Sequence, residues 1–246
     1  MDWIELPEAA NPQEWLAWDE ALLDAAETAK GDDDTGEVLW FWESSAPFVV
    51  VGYGQSVDRE VQVTDCDTLS VPILRRCSGG GTVVQGTGCL NYGLVLRIPE
   101  EGPLTTIAGT NQWIMERQRA ALSALGDAPV VVRGHTDLAL VQAGRELKFS
   151  GNAQRRKRRS LLFHGTILLH FELSLISRLL RPPSWAPEYR AGRSHGEFVV
   201  NTGWNHRTVQ EVLATCWDAQ VTRRPLPRAA FQTLMESRYS RPDWHR

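Results

Sequence analysis

Residues 75–84 read Arg75-Arg76-Cys77-Ser78-Gly79-Gly80-Gly81-Thr82-Val83-Val84, two arginines followed by a glycine run. Apolar residues 71–74 precede the arginines, and a β-branched run follows the three consecutive glycines. Glycine, which has no Cβ, adopts positive φ and lets another group approach the backbone closely. Successive N–H groups of such a loop form an anion-binding concavity, and arginines add fork-shaped donors for carboxylate or phosphate. A tight turn between two strands would also use these glycines, so both interpretations stay open at this point.

The composition is that of a globular protein. The chain has 246 residues, of which 42% are hydrophobic and 23% charged, and its formal net charge is −4. This acidic balance argues against a general nucleic-acid binder. No window approaches the ~18 apolar residues of a membrane span, and the first residues lack the pattern of a signal peptide. We therefore expect a cytoplasmic protein without a membrane or nucleic-acid partner.

Cysteine and histidine spacing predicts neither a disulfide framework nor a metal site. Cys66, Cys77, Cys89 and Cys216 show no CxxC spacing, and the six histidines show no HxxxH pairing. We expect free thiols in a reducing compartment and no metal cage built from protein side chains.

The periodicity of apolar residues predicts a mixture of helices and strands. Helical patterns cover residues 11–30, 103–125, 172–180, 208–221 and 227–239. Strand patterns cover residues 38–42, 48–51, 72–76, 82–85, 90–96, 130–132, 137–142, 146–149 and 161–171. The first helix is predicted to end at Lys30-Gly31 before an exposed loop at 32–34, and Ile107 is predicted on the buried face of the long second helix. Without a regular βαβ rhythm, these patterns indicate one α+β domain with a mixed, largely antiparallel sheet flanked by helices.

Two further stretches contain residues suited to chemistry. Residues 148–154 read Lys-Phe-Ser-Gly-Asn-Ala-Gln, and residues 163–168 read Phe-His-Gly-Thr-Ile-Leu. Lys148 is one of only three lysines among 26 basic residues. A lysine retained where arginine is so strongly preferred suggests a role for a compact point charge, although a solvated lysine at a hairpin edge is the alternative.

Together and in this order, the three stretches resemble the lipoate–protein ligase A family, within the biotin/lipoate ligase and octanoyltransferase superfamily. That family carries an RRxSGGG loop, a GxGxLN-type segment, a K-x-S-G-x-A-Q-like turn and a strand with HGT-L-L. The matching positions here are Arg75, Arg76, Ser78, Gly79, Gly80, Gly81, Gly88, Leu90, Asn91, Lys148, Ser150, Gly151, Ala153, Gln154, His164, Gly165 and Thr166. The resemblance spans roughly residues 10–202. It implies a biotin/lipoate-ligase-like catalytic domain over residues 1–246, with its core at about 10–202 and C-terminal helices at 203–246.

The resemblance implies an ATP-dependent ligase. Such an enzyme activates lipoate or octanoate as an acyl-AMP and transfers the acyl group to a lysine of a lipoyl domain or a glycine-cleavage H-like carrier protein. ATP and Mg²⁺ are the implied cofactors, and Lys148 is the implied catalytic residue, contacting the acyl oxygen and the α-phosphate.

The substrate- and cofactor-binding residues also follow from the resemblance. They are Arg75, Arg76, Ser78, Gly79, Gly80, Gly81, Asn91, Asp137, Ser150, Gly151, His164 and Thr166. Asp137 is expected to orient Lys148 or to help bind Mg²⁺, with a local structural role as the alternative. His164 is expected to be a packed histidine that shapes the pocket. The basic run 155–159 is interpreted as a loop that guides an acidic carrier, covers the nucleotide phosphates, or is simply solvated.

Some positions depart from the family pattern. Gln85 and Gly86 stand where the family has histidine and aspartate, and Cys89 replaces a common asparagine. Residues 208–246 suffice for about two helices, whereas bacterial ligases often carry an accessory domain, so a separate accessory subunit is a possible partner. Two alternative functions remain: an ATP-independent octanoyl or lipoyl transferase using Cys77, and a non-catalytic module that binds an acyl group or a nucleotide.

Overall fold

The computed structural model describes residues 1–29 and 36–246. The helix end predicted at Lys30-Gly31 and the acidic loop predicted at 32–34 lie outside these residues. In the described part of the chain the strands are β1 (Asp2–Trp3), β2 (Val38–Trp42), β3 (Phe48–Val51), β4 (Ile73–Arg75), β5 (Val83–Gln85), β6 (Cys89–Arg97), β7 (Val130–Arg133), β8 (Asp137–Gln142), β9 (Arg145–Arg156), β10 (Ser160–Leu168) and β11 (Gln220–Val221).

The α-helices of the described residues are α1 (Pro12–Thr28), α2 (Val57–Glu60), α3 (Val63–Thr68), α4 (Ile107–Leu122), α5 (Ser174–Leu179), α6 (His195–Phe198), α7 (His206–Cys216), α8 (Arg228–Leu234) and α9 (Pro242–His245). Short 3₁₀ turns occur at Pro103–Thr105, Ser123–Leu125 and Glu188–Arg190, and a π-helical turn at Met235–Tyr239. Within residues 1–29 and 36–246, no helix combines the length and apolar character needed to cross a bilayer.

The strands form one large and one small sheet. The large sheet has eight strands in the order β11-β1-β2-β6-β10-β9-β8-β7, and the small sheet has three in the order β4-β3-β5. In the large sheet, the neighbours from β2 to β7 in this order pair antiparallel, whereas β1 pairs in parallel with both its neighbours. In the small sheet, β3 pairs in parallel with β4 and antiparallel with β5. The predicted α+β class with a mixed, largely antiparallel sheet is confirmed.

Both faces of the large sheet are covered by apolar residues. On one face, helices α4 and α7 pack against buried residues such as Leu94, Leu161 and Phe163. On the other face, α1 and α8 pack against a cluster that includes Trp40 and Leu162. Because adjacent side chains of a strand point to opposite faces, β10 contributes Leu162 to one cluster and Phe163 to the other.

Antiparallel pairing determines which residues share the face that α1 covers. Two cross-strand rows run over β2, β6, β10 and β9. The first consists of Trp40, Gly93, His164 and Ala153, and the second of Trp42, Asn91, Thr166 and Gly151. The small residues in both rows leave space above the sheet, so other segments approach it closely there.

The structure corrects several local predictions. Strand β9 does not break at 150–152 but continues to Arg156, because these residues pair with β10; the irregularity is a register shift opposite Leu138/Ala139. Ile107 is 60% exposed, since it is the first residue of α4 and precedes the buried face. Helix α7 begins at His206, where the side chain of Asn205 accepts the N–H of Thr208.

Candidate functional site

Lys148 forms an ion pair with Asp137. Its Nζ lies 2.7 Å from Asp137 Oδ1, and the two side chains are 27% and 14% exposed, respectively. Both residues lie on the adjacent strands β8 and β9. A Cβ at Gly151 would lie only 2.8 Å from Lys148 Nζ, so glycine at this position leaves room for the ammonium. Lys148 thus lies beside the row that contains Thr166 and Gly151.

Tyr189, which was not among the predicted site residues, joins this pair. Its hydroxyl donates a hydrogen bond of 2.8 Å to Asp137 Oδ2. Burial, followed by the charge of Asp137, raises the pKa of Tyr189 above its usual range. The hydroxyl therefore stays protonated and remains a donor at neutral pH.

Arg76 supports the glycine loop from within. It is 7% exposed, and its Nε donates to Ser78 Oγ at 2.9 Å. Its Nη2 donates to the carbonyl oxygens of Gly79 and Gly81 at 2.5 and 2.9 Å. Burial lowers the pKa of Arg76 to about 10, so it remains charged at neutral pH. These interactions curl the loop around the guanidinium, and this role differs from the direct anion contact expected for Arg76.

Arg75 is likewise occupied by backbone carbonyl groups. Its Nη1 donates to the carbonyls of Gly52, Tyr53 and Gln55, and its Nε and Nη2 donate to the carbonyls of Trp244 and Arg246. All three nitrogens of this guanidinium therefore have protein partners. The Arg75 side chain thus connects the loop base to the C-terminal residues, and the expectation that it binds a carboxylate or phosphate stays a prediction.

A buried hydrogen-bond chain joins the glycine loop to α1. Ser78 Oγ lies 2.6 Å from His164 Nε2, and His164 Nδ1 lies 2.6 Å from Asp19 Oδ2. Asp19 Oδ1 accepts the indole N–H of Trp40 at 3.2 Å. The order resembles a Ser-His-Asp triad. However, Ser78 is 0% exposed and already accepts a hydrogen bond from Arg76, so the arrangement anchors the loop.

The backbone of the glycine loop presents donors to solvent. Gly79, Gly80 and Gly81 are exposed, and Gly80 adopts a φ of +88°. Among residues 1–29 and 36–246, no protein group accepts a hydrogen bond from their three N–H groups. A Cβ on Gly80 would lie 3.5 Å from the Ala153 side chain, which places the loop over the first cross-strand row. Consecutive unpaired N–H groups at such a place suit an anion.

A second polar chain covers the neighbouring row. Gln85 Nε2 donates to Thr166 Oγ1 at 2.6 Å, and Thr166 donates to Asn91 Oδ1 at 2.6 Å. Asn91 Nδ2 donates to the Cys89 carbonyl, so this buried amide is satisfied within the protein. Gln85 Oε1 is buried and has no partner among the residues that the structure describes. Gln85, at the position that departs from the family pattern, therefore contributes to this wall.

Ser150 and the basic run also have internal roles. Ser150 is 2% exposed and accepts a hydrogen bond from Asn152. Lys157 pairs with Asp24, and Arg159 donates to the Glu27 carbonyl. The prediction that 155–159 is one loop is wrong: residues 155–156 belong to β9, and the following turn is bonded to α1. A contact of this run with a carrier or with nucleotide phosphates stays a prediction.

The cysteines near the loop are unsuited to nucleophilic chemistry. Cys77 is 2% exposed and Cys89 is 0% exposed. Burial raises the pKa of both thiols well above the usual range, and for Cys77 the charge of Glu20 adds to this effect. Because the thiolate is the nucleophile, these buried thiols are inert at neutral pH.

Metal-binding groups are sparse around Lys148. Within the described ranges 1–29 and 36–246, no cluster of three or more His, Cys, Asp or Glu side chains is suited to hold a metal ion. In the part of the chain that the structure describes, Asp137 is the carboxylate that pairs with Lys148, and both its oxygens already accept hydrogen bonds. These residues do not fit a metal site built by the protein, so no step is assigned to Mg²⁺.

Comparison with known protein families gives a match over most of the chain. A family described as the lipoyl protein ligase A/B catalytic domain matches residues 11–203. A Schizosaccharomyces pombe protein, named as a candidate lipoate-protein ligase A, is 36% identical over 199 residues, covering 78% of this chain and 52% of the relative. The Thermoplasma acidophilum lipoate-protein ligase A subunit 1 is 28% identical over 204 residues, covering 80% and 73%, respectively. The chain thus spans about half the length of the yeast relative.

Solved structures share the fold. The bi-partite lipoate protein ligase of Thermoplasma acidophilum, solved in a study that includes its E2 lipoyl domain, superposes with a TM-score of 0.82 at 22% identity, covering 99% of this chain and 95% of that one. A lipoate-protein ligase A bound with ATP gives 0.77 at 21% identity, covering 99% and 97%. A Thermoplasma acidophilum protein with bound lipoic acid gives 0.76 at 21% identity, covering 99% and 98%. At these identities the likeness establishes the fold alone.

Proposed function

Because this chain belongs to the lipoyl protein ligase A/B catalytic domain family, we propose that it activates lipoate or octanoate with ATP and transfers the acyl group to a lysine of a lipoyl carrier domain. The observation that carries this proposal is that two features lie over neighbouring rows of one sheet face. The Lys148 ammonium lies next to Gly151, and the glycine loop with its unpaired N–H groups lies next to Ala153. A cation next to fixed backbone donors is suited to a carboxylate held beside a phosphate.

The reaction has two steps. In the first, a carboxylate oxygen of the fatty acid attacks the α-phosphorus of ATP, forming an acyl-adenylate and releasing pyrophosphate. In the second, the neutral amine of the carrier lysine attacks the acyl carbonyl, an amide bond forms, and AMP leaves while the amine loses a proton. Negative charge increases on phosphoryl oxygens in the first step and on the carbonyl oxygen in the second.

Each part of the site has a role in this scheme. Lys148 contacts the acyl oxygen and the α-phosphate, because a compact ammonium can bridge two oxygens without a preferred fork geometry. The N–H groups of Gly79–Gly81 bind phosphate oxygens. Asp137 keeps the ammonium in place before substrates bind. Arg76 acts indirectly, because it binds the carbonyls of the loop that presents the N–H groups, and Arg75 holds the neighbouring segment 52–55.

The partners in this proposal come from the relatives. A solved structure of the same fold belongs to a two-part ligase studied with its E2 lipoyl domain, and a sequence relative is named subunit 1 of such a ligase. We extend both features to this chain: the acyl acceptor is a lipoyl domain, and a second polypeptide assists the adenylation step. The buried Cys77 and Cys89 argue against the alternative transfer route through a thioester.

A mass-shift assay tests the proposal. The protein is incubated with an apo lipoyl domain, ATP, Mg²⁺ and either lipoate or octanoate, and the carrier is weighed. We expect the carrier to gain one acyl group only when ATP is present, with pyrophosphate released in the same reaction. A second arm supplies preformed lipoyl-adenylate and bypasses the first step. The proposal is wrong if the carrier gains no mass in either arm.

A further inference from the structure

The Asp137 carboxylate is shared between Lys148 and a residue from a distant segment. Lys148 Nζ lies 2.7 Å from Oδ1, and the Tyr189 hydroxyl donates to Oδ2 at 2.8 Å. Each carboxylate oxygen therefore has its own donor. Two donors on opposite oxygens hold the carboxylate plane in one orientation, and this orientation sets the direction in which the ammonium points.

The segment that carries Tyr189 is attached to the strand that carries Lys148. The Arg193 guanidinium donates to the carbonyls of Tyr189 and Glu146, at 2.6 and 2.8 Å. The Tyr189 ring packs at 5.0 Å against Phe198, which is 3% exposed. A few residues further on, the backbone N–H of Val200 donates to the carbonyl of Lys148 itself at 2.9 Å. Tyr189 is thus held in place by contacts independent of its hydroxyl.

We propose that Tyr189 is a positioning residue for Lys148: by donating to Asp137 Oδ2 it holds the carboxylate in place and weakens its attraction for the ammonium, so that Lys148 is released to the acyl and phosphate oxygens when substrates bind. This inference rests on the proposed function, in which Lys148 contacts those oxygens. The hydrogen bond from the tyrosine draws electron density from the carboxylate, which leaves less negative charge for the ammonium.

The inference makes a prediction that needs no substrate. Lysine amines react with acetic anhydride only when they are free of a proton and of a tight partner, and the chain has three lysines, so peptide mass spectrometry resolves each of them. In a short pulse at fixed pH, the Tyr189→Phe variant should label Lys148 about threefold more slowly than the wild type, because a carboxylate without the hydroxyl donor holds the ammonium more tightly. The Asp137→Asn variant should label it faster. Lys157, paired with Asp24, is the reference in every sample.

A matched control removes the same chemistry elsewhere. Tyr239 donates its hydroxyl to the Glu20 carboxylate at 2.7 Å, as Tyr189 does to Asp137. The Tyr239→Phe variant therefore loses an equivalent bond but should leave labelling of Lys148 unchanged. Tyr189→Phe keeps the ring that packs on Phe198, and a thermal unfolding curve checks that the variant is folded.

A double variant separates positioning from a structural role. If Tyr189 acts through Asp137, Tyr189→Phe has no effect on Lys148 labelling in the Asp137→Asn background. If Tyr189 has only a structural role, Tyr189→Phe still changes the labelling of Lys148 in that background. In ligation assays, we expect Tyr189→Phe to lower kcat about 5- to 30-fold with little change in KM, as for an interaction made mainly in the transition state. Unchanged or faster labelling of Lys148 in Tyr189→Phe would overturn the inference. That result would not contradict the proposed function. The proposed function is contradicted by a different result, namely that the carrier gains no mass in the mass-shift assay.

Discussion

His164 Nδ1 lies 2.6 Å from Asp19 Oδ2, and this contact connects helix α1 to the strand beneath the glycine loop. The same histidine faces Ser78 Oγ at 2.6 Å with its other ring nitrogen. Asp19 is 2% exposed and also accepts the indole N–H of Trp40. Because an ionised carboxylate only accepts hydrogen bonds, Asp19 pairs with an N–H on His164 Nδ1, and Nε2 of the same ring faces the hydroxyl of Ser78.

The Asp19→Asn substitution should destabilise the protein by about 2–4 kcal/mol. An amide offers one acceptor oxygen for two N–H groups, and its NH₂ group then faces a donor. Urea unfolding measures the change. Asp24→Asn on the same helix is the control: Asp24 pairs with Lys157 at a site where both side chains are 32% exposed. A half-exposed pair of this kind contributes about 1 kcal/mol or less, and equal losses in the two variants would contradict the role given to the buried chain.

The Gly52→Ala substitution should displace the glycine loop. A Cβ at Gly52 would lie 2.1 Å from the Gly80 carbonyl oxygen, whereas a Cβ at Gly54 would meet nothing within 4 Å. We expect Gly52→Ala to reduce ligation about tenfold or more, because small displacements of binding groups weaken catalysis strongly. Gly54→Ala should fold with unchanged stability. Initial rates of carrier acylation measure the activity of both variants, and urea unfolding measures their stability. Full activity in Gly52→Ala would show that the loop position is not critical.

Stability should fall in weakly acidic solution because of His245. Its Nδ1 accepts the backbone N–H of Arg75 at 3.0 Å, and burial lowers the pKa of His245 below its usual value. In the unfolded chain a histidine has a pKa of about 6.5. At pH values between about 6.5 and the lower pKa of folded His245, the unfolded chain therefore binds a proton more readily than the folded chain does. The contribution of His245 to stability is therefore complete above about pH 6.5 and is lost as the pH falls through its folded-state pKa.

Urea midpoints between pH 8 and pH 5 measure this dependence. The His245→Gln variant should be less stable at pH 8 and show a shallower loss of stability on acidification. Exposed His170 supplies the control, since His170→Asn should keep the wild-type slope. An identical slope in His245→Gln and the wild type would assign the pH dependence to other groups.

The Lys148→Ala substitution should abolish most of the ligase activity. Removing one preorganised charge from a site where negative charge develops costs about 10²–10³-fold in rate. The mass-shift assay gives the rate, and Lys157→Ala, which removes the half-exposed partner of Asp24, should retain activity within about threefold, because such a pair contributes little. Similar losses in both variants would argue against a specific role for Lys148.

The Cys77→Ala substitution should leave ATP-dependent acylation intact. The thiol is buried and its pKa is raised, so it behaves as a small apolar group. Its removal should cost about 1–2 kcal/mol through lost packing, and the acylation rate measured well below the unfolding temperature should be unchanged. An ATP-independent acylation that disappears in this variant would support the transferase alternative instead.

Much of the fold was predictable because its signals are local. The glycine run between β-branched residues, the helical periodicity of residues 12–28 and the strand patterns all depend on neighbours within a few positions. The errors arose where distant contacts intervene. Ser150-Gly151-Asn152 has the composition of a turn, yet pairing with β10 keeps it in a strand.

The site was predictable in part. Lys148 and the glycine loop were selected by residue type and order, and the structure brings them to adjoining parts of one sheet face. The carbonyl contacts of Arg75 and Arg76 were not predictable, because a guanidinium donates to an anion or to carbonyl groups, and the folded chain determines which of these surround it. Asp19 and Tyr189 were not predicted as site residues, because neither lies in a recognisable motif.

By itself the sequence determined the α+β class, the family resemblance and the choice of Lys148 as the residue to test. The tertiary structure alone decided that His164 meets Asp19 across 145 positions, that Tyr189 meets Asp137 across 52, and that Cys77 is buried. The physical reason is the distance along the chain over which each interaction acts. Backbone preferences and side-chain periodicity act over a few residues, whereas the partner of a buried donor depends on which distant segments pack together.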